Sequence, residues 1–117
     1  RDERSASDIF KEYCLRLNEG DTKLLLKKLA PTRLVTNSCR DKVEVAEARG
    51  ASAEELRELL GRGRAKKGIF EGDLEEGELE IGQVAALFRR RQSVDEVMKE
   101  LLEGYRRASD KVSSFLL

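Results

Sequence analysis

The chain has 117 residues, of which 39% are charged and 39% hydrophobic, and its 23 lysines and arginines balance its 23 aspartates and glutamates. This neutral total argues against a general nucleic-acid or membrane-surface binder, because the affinity of such proteins rests on a net positive field. The chain contains no histidine, and therefore lacks the commonest general base and the commonest metal ligand. Its length suits one small domain.

The two cysteines, Cys14 and Cys39, are too few for a disulfide framework or a zinc site. No apolar run approaches the ~20 residues that a membrane span needs, and no signal peptide is visible. We therefore expect a cytoplasmic protein without a membrane partner. Because the first residue is Arg1 rather than methionine, we also expect the chain to belong to a longer protein.

The first quarter of the chain predicts a helix followed by a strand. Ser5 and Asp8 have the spacing of a helix capping box. The next apolar residues share one helical face: Ile9, Phe10, Tyr13, Cys14 and Leu17. After a turn, the apolar run in residues 22–26 favours a strand over a helical turn. An isolated strand cannot satisfy its own backbone groups, so we expect its partner strand to lie outside the chain.

The middle of the chain predicts further helices. Pro31 fits the first turn of a helix that carries Leu34 and Val35 and stops at Gly50. Ser52 with Glu55 is a second capping box. A glycine–arginine break in residues 61–64 precedes a weaker helix over residues 65–70 and a glycine-punctuated acidic loop.

The last third predicts two helices with apolar faces. Gly82 opens the first, whose stripe consists of Ile81, Val84, Ala85 and Phe88. Ser93 with Glu96 is a third capping box. It opens the most regular amphipathic helix of the chain: Val94, Val97, Met98, Leu101, Leu102 and Tyr105. The predicted fold class is therefore mostly α with one short β-strand.

Three charged or glycine-rich groups suggest sites, and each has a simpler interpretation. The glycines of residues 61–68 lack the ending of a phosphate-binding P-loop and favour a linker. The basic residues Arg57, Arg62, Arg64, Lys66 and Lys67 have no interleaved aromatic residues to stack bases, which favours surface ion pairs over a nucleic-acid partner. The acidic residues 73–80 depart from the calcium-loop pattern because Gly77 falls at the wrong position, and we expect no metal.

Gly82 and Gln83 form the remaining candidate. A glycine permits close backbone approach, and a glutamine amide can hydrogen-bond a cofactor or a substrate. From these residues alone, a role in binding a cofactor or substrate and a role in ordinary helix packing both remain open.

Several motifs lie in one collinear order along the chain. They are Asp21-Thr22, Pro31-x-Arg33 with Asn37, Glu47-Ala48-Arg49-Gly50-Ala51-Ser52, Glu71-Gly72-Asp73-x-Glu75-x-Gly77, and Gly82-Gln83-x-Ala85-x-Leu87. Together they resemble the C-terminal part of the FMN-dependent NAD(P)H oxidoreductases of the nitronate monooxygenase (2-nitropropane dioxygenase) and flavin-dependent enoyl-acyl-carrier-protein reductase type.

The resemblance implies a fragment of a larger flavoenzyme. Residues 1–30 would be the end of a TIM-type (β/α)8 barrel, and residues 31–117 a C-terminal helical lobe over the flavin. The cofactors would be FMN and NAD(P)H, and the reaction either oxidative denitrification of alkyl nitronates or reduction of enoyl thioesters. The partners would be the N-terminal barrel of the same protein and a small-molecule substrate, and the resemblance also allows a homodimer.

The resemblance places no catalytic residue in this chain, since the family's catalytic histidine and FMN-phosphate loops precede this region. It implies that the pocket lining consists of Gly77, Glu78, Glu80, Gly82 and Gln83. Glu78 stands where serine is common and Ile81 where alanine is common, which suggests a divergent branch. The alternative is a stand-alone helical interaction module without catalysis that docks through residues 94–105. A complete module should bury its apolar stripes, whereas a lobe taken from a larger protein should expose them.

Overall fold

The computed structural model describes residues 2–116. Its elements in chain order are α1 (Asp8–Leu15), β1 (Thr22–Leu25), β2 (Thr32–Val35), α2 (Ser38–Ala48), α3 (Ala53–Leu60), α4 (Arg64–Ile69), a 3₁₀ helix (Gln83–Leu87) and α5 (Val94–Ser114). The predicted mostly helical fold is confirmed. One compact unit is Ser5–Arg89, and α5 belongs to a second unit. The division predicted after residue 30 stays a prediction. No helix in residues 2–116 is long and apolar enough to cross a lipid bilayer.

The strand predicted in residues 22–26 exists as β1, but its partner does not lie outside the chain. β1 pairs with β2 in an antiparallel hairpin in which Thr22 faces Val35. The fold therefore has two strands rather than one, and the helix predicted from Pro31 begins only at Ser38. The β-branched residues Thr32 and Val35 favour extended backbone, and burial on both faces of β2 outweighs the helix-starting preference of proline.

β2 lies between two apolar cores because successive side chains of a strand point to opposite faces. Leu34 and Val35 are each 1% exposed. Leu34 belongs to a core with residues of β1, α2 and α3: Leu25, Val43, Ala46, Leu56 and Leu60. Val35 belongs to a second core on the α1 side: Ala6, Phe10, Leu17 and Leu79. Full burial of such a side chain contributes about 1.5–3 kcal/mol, so the hairpin is fixed from both sides.

The start of α1 differs from the prediction. Ser7, not Ser5, is the N-cap, and its hydroxyl accepts a hydrogen bond from the Phe10 amide at 3.2 Å. The Ser7 amide donates to the carbonyl oxygen of Ile69 at 2.8 Å. This bond to the end of α4 holds Ser7 extended, and the helix begins one residue later, at Asp8.

The other two predicted caps are present. The Ser52 hydroxyl accepts from the Glu55 amide at 3.2 Å and opens α3. Ser93 and Glu96 form a reciprocal capping box at the start of α5, with distances of 3.2 Å and 2.7 Å. Local sequence therefore determines where these two helices begin.

The apolar helix predicted from Gly82 is only a five-residue 3₁₀ helix, and Phe88 is already extended. Its predicted stripe divides between two sides. Ile81 and Ala85 pack against the α1 core, whereas Val84 and Phe88 are 56% and 51% exposed. A single turn with half of its apolar residues in solvent gains too little burial to extend into an α-helix.

Candidate functional site

The acidic loop that precedes the predicted site is an ordered turn. One Asp73 carboxylate oxygen accepts hydrogen bonds from the amides of Glu75 and Glu76 at 3.1 and 2.9 Å. The other lies 3.3 Å from the Lys67 ammonium. The backbone hydrogen bond from Glu76 is the main reason why the pKa of Asp73 is lowered. Within residues 2–116, no group of three or more acidic or cysteine side chains is arranged to hold a metal ion.

Asn37 connects this loop to the start of α2. Its side-chain amide nitrogen donates to the carbonyl oxygens of Leu74 and Gly77, at 3.0 and 2.7 Å. Its side-chain oxygen caps α2 by accepting from the Arg40 amide at 2.8 Å. Asn37 is 8% exposed, so all three bonds form largely out of water and hold the loop in one position.

Glu76 joins the loop to α2 and α4 through ion pairs. Its carboxylate lies 2.9 Å from the Lys42 ammonium and 3.1 Å from the Arg64 guanidinium. The same guanidinium donates to the Glu76 carbonyl oxygen at 2.8 Å. The hydrogen bond from Lys42 is the largest cause of the lowered pKa of Glu76, followed by that from Arg64.

The basic residues considered for phosphate or nucleic-acid binding are therefore largely engaged in contacts within the chain. Arg64 pairs with Glu76, Lys66 lies 3.8 Å from Glu71, and Lys67 pairs with Asp73. These contacts support the interpretation of this group as surface ion pairs.

Gly77 is the first residue of the predicted pocket lining, and the structure gives it a packing role. It is buried, and a β-carbon placed on it would lie 2.5 Å from both the Gly68 nitrogen and the Asp73 carbonyl oxygen. Glycine is thus required at position 77, because the loop approaches α4 too closely for a side chain.

Residues 79–81 lie along β2 and form an isolated β-bridge with it, a pairing that sequence reasoning missed. The Val35 amide donates to the Leu79 carbonyl at 3.0 Å, and the Ile81 amide donates to the Arg33 carbonyl at 3.2 Å. Leu34 and Glu80 form an antiparallel bridge. The alternation of charged and apolar residues from Glu78 to Ile81 is the signal that could have revealed this extended segment.

Glu78 and Glu80 lie on the same face of this segment, since strand side chains alternate. Glu78 is half-buried and Glu80 is exposed. Burial is the main cause of the raised pKa of Glu78, and the neighbouring Glu80 carboxylate raises it further, whereas Arg64 lowers it. The two carboxyl groups are therefore close neighbours on one side of this segment.

Gly82 and Gln83 follow directly and are both exposed. Beyond them, the 3₁₀ helix presents Val84, Leu87 and Phe88 to solvent, with exposed fractions of 56%, 77% and 51%. We call residues 78–88 the rim segment. The rim segment combines the carboxyl groups of Glu78 and Glu80, the exposed side-chain amide of Gln83 and an exposed apolar surface. This combination suits contact with an organic ligand or with another protein surface. Its role as a pocket lining stays a prediction.

Neither cysteine has the surroundings of a reactive thiol. Cys39 is 3% exposed in the first core, and burial raises its pKa, although Arg64 opposes that effect. Cys14 packs against the α1 core, as its position on the apolar helical face predicted.

Comparison with known proteins gives a likeness of fold. The sequence matches no protein-family model and no curated protein. The structure of FabK from Thermotoga maritima superimposes with a TM-score of 0.80 at 23% identity, over 94% of this chain and 35% of FabK. A single-residue mutant of that FabK gives 0.75 at 20% identity, over 97% of this chain and 33% of that one. The chain thus has the fold of part of FabK and spans about a third of its length.

Proposed function

We propose that the chain is the C-terminal lobe of an FMN-dependent NAD(P)H oxidoreductase, and that its rim segment covers the flavin and substrate pocket of an adjoining barrel. The observation that carries the proposal is the likeness to FabK over nearly the whole chain. FabK is an FMN-dependent enoyl-ACP reductase built on a TIM barrel. The collinear motifs of the sequence resemble the same superfamily independently.

The rim segment supports a covering role rather than a cofactor-holding one. The FMN phosphate is an anion, and Glu78 and Glu80 offer it carboxyl groups rather than cations. The nearby Arg64 is engaged by Glu76 and by the Leu60 carbonyl at 2.8 Å. The rim segment therefore does not fit a phosphate site, and the main flavin contacts are assigned to the barrel. Gln83 is the group we assign to polar contact with bound ligand.

Between the two reactions, the proposal favours reduction of an enoyl thioester over oxidation of an alkyl nitronate. The solved structures that the chain matches belong to a reductase. The exposed apolar side chains of Val84, Leu87 and Phe88 suit the acyl chain of such a substrate, whose transfer from water is favourable.

The first test is to read the coding sequence upstream of Arg1 and to assay the protein that it encodes. The proposal expects a barrel with a histidine and glycine-rich phosphate loops, bound FMN, and NAD(P)H oxidation that depends on an enoyl thioester. In that protein, Gln83→Ala should lower kcat/KM about tenfold, the loss expected for one ligand hydrogen bond. The control Glu58→Ala, an exposed change on α3, should have no effect. A start codon immediately before Arg1 would refute the proposal.

A stand-alone interaction module is the alternative, and the burial criterion disfavours it, because a complete module should bury its apolar stripes. The apolar face of α5 is instead exposed along its length, with no buried residue on that helix. The same upstream reading separates the two candidates: a module begins at or near Arg1, whereas a lobe follows a barrel.

A further inference from the structure

The two compact units of the chain are connected in the manner of an insertion. One unit is the continuous segment of residues 5–89, whereas the other is made of two separate segments, which are residues 2–4 and 90–116 in the described part of the chain. The chain therefore enters the continuous unit after residue 4 and leaves it after residue 89, and the two flanking segments meet again outside it.

The continuous unit holds the apolar core of the described chain. Among residues 2–116, every buried apolar side chain lies between Ala6 and Leu79, so both cores belong to residues 5–89. The helix α5 contributes no buried residue. Because the burial of apolar surface is the main favourable term in folding, residues 5–89 contain the interactions that stabilise them, and α5 adds nothing to either core.

The two flanking segments are joined by Asp2 and Glu3, which we call the strap. The Asp2 amide donates to the carbonyl oxygen of Gln92 at 3.0 Å, and the Asp2 carboxylate accepts from the Arg91 guanidinium at 2.6 Å. The two Glu3 carboxylate oxygens lie 3.0 and 2.9 Å from the Val94 amide nitrogen, which donates to them. The strap therefore holds the two ends of the continuous unit next to each other.

The strap also completes the start of α5. Val94 is the first residue of that helix, and the amides of a first helical turn have no partner within the helix. Ser93 and Glu96 satisfy one another's amides in the capping box, and Glu3 supplies the acceptor for the Val94 amide. A carboxylate in this position also complements the helix dipole. Since α5 has no buried residue, its order depends on such contacts at its start.

We propose that residues 5–89 are an insertion that unfolds as one cooperative body, separately from α5, and that the strap orders α5 and holds the ends of the insertion together. The insertion opens by global unfolding because both cores lie inside it. The helix α5 opens at a lower free energy, because few buried contacts oppose its local unfolding. The inference is independent of the proposed oxidoreductase, since it requires no bound cofactor or substrate.

Hydrogen exchange of the purified 117-residue chain tests the proposal. The amides of residues 97–102 should be protected at least about a hundredfold less than those of Val43 and Leu56 in the first core. Glu3→Ala should speed exchange of residues 97–102 about two- to fivefold, the loss expected for a carboxylate at a helix start, and should leave Val43 and Leu56 unchanged. The matched control Glu58→Ala, an exposed change on α3, should leave exchange in α5 unchanged.

Limited digestion with trypsin tests the boundaries of the insertion. Arg4, Arg89 and Arg90 are exposed and lie where the chain enters and leaves it, so the resistant fragment found by mass spectrometry should be residues 5–89. Equal protection of α5 and the first core, or first cuts within α2 or α3, would show that no separate body exists and overturn the proposal. An unchanged exchange rate of α5 in Glu3→Ala would overturn the role of the strap.

Discussion

The Gly77 backbone lies so close to Gly68 that a β-carbon built on Gly77 would overlap the Gly68 α-carbon. One built on Gly68 would meet the Leu79 side chain at 2.6 Å, and one built on Gly77 would meet the Gly68 nitrogen at 2.5 Å. This contact joins α4 to the start of the rim segment. Leu79, two residues after Gly77, is buried in the α1 core, and Glu78 and Glu80 flank it in the chain.

The first prediction concerns that contact. Gly77→Ala should destabilise the chain by about 1–3 kcal/mol, because the backbones of the loop and α4 would have to separate. The free energy of unfolding in urea measures the loss. Gly82→Ala is the matched control, since a β-carbon there meets nothing within 4 Å, and it should change stability by less than about 0.5 kcal/mol. Equal effects of both substitutions would contradict the packing role of Gly77.

The second prediction concerns Asn37. Asn37→Ala removes the α2 cap and both bonds to the loop carbonyls of Leu74 and Gly77. We expect a loss of about 2–4 kcal/mol, because buried carbonyls are left without donors. Asn37→Asp keeps the capping oxygen but cannot donate, so it separates the two contributions. Hydrogen exchange should show that the Gly77 amide, which donates to Asp73 at 3.1 Å, loses protection in both variants.

The third prediction is a dependence of stability on pH. The pKa of Glu78 is raised on folding, mainly by burial, so the folded state binds its proton more tightly than the unfolded state does. Its contribution to stability is complete below the unfolded pKa near 4.5 and is lost as the pH rises through the folded pKa. Glu78→Gln should therefore raise the urea midpoint at neutral pH and leave it nearly unchanged in acid.

Glu76 provides the control of opposite sign. Its pKa is lowered by Lys42 and Arg64, so its contribution exists above the unfolded pKa and disappears as the pH falls through the folded one. Glu76→Gln should lower the urea midpoint at neutral pH. If Glu78→Gln also lowered it there, the assignment of Glu78 as a half-buried carboxyl would be wrong.

The fourth prediction concerns the flavin. The chain by itself should not quench the fluorescence of FMN at micromolar concentrations, because Glu78 and Glu80 repel a phosphate and Arg64 is already paired with Glu76. Micromolar binding by the isolated chain would show that the lobe holds the cofactor itself, and would replace the covering role with a binding one.

The sequence by itself determined the features that depend on neighbouring residues. The caps at Ser52 and Ser93 follow from a hydroxyl three residues before a carboxylate, and the regular face of α5 follows from helical spacing. The β1 strand was also readable, because a short apolar run between turns has few alternatives. The motif order suggested a superfamily, and the comparison with FabK gives a likeness of fold.

Tertiary structure decided the features that depend on distant residues. Residues 32–35 are extended because they pair with β1 and, through an isolated bridge, with Glu80, between two cores. Pairing partners are not encoded by local propensity. The helix predicted from Gly82 is only one turn long, because only Ile81 and Ala85 of its apolar stripe pack against a core. Asn37 connects α2 to residues 74–77 because folding brings two loops together across 40 positions of the chain.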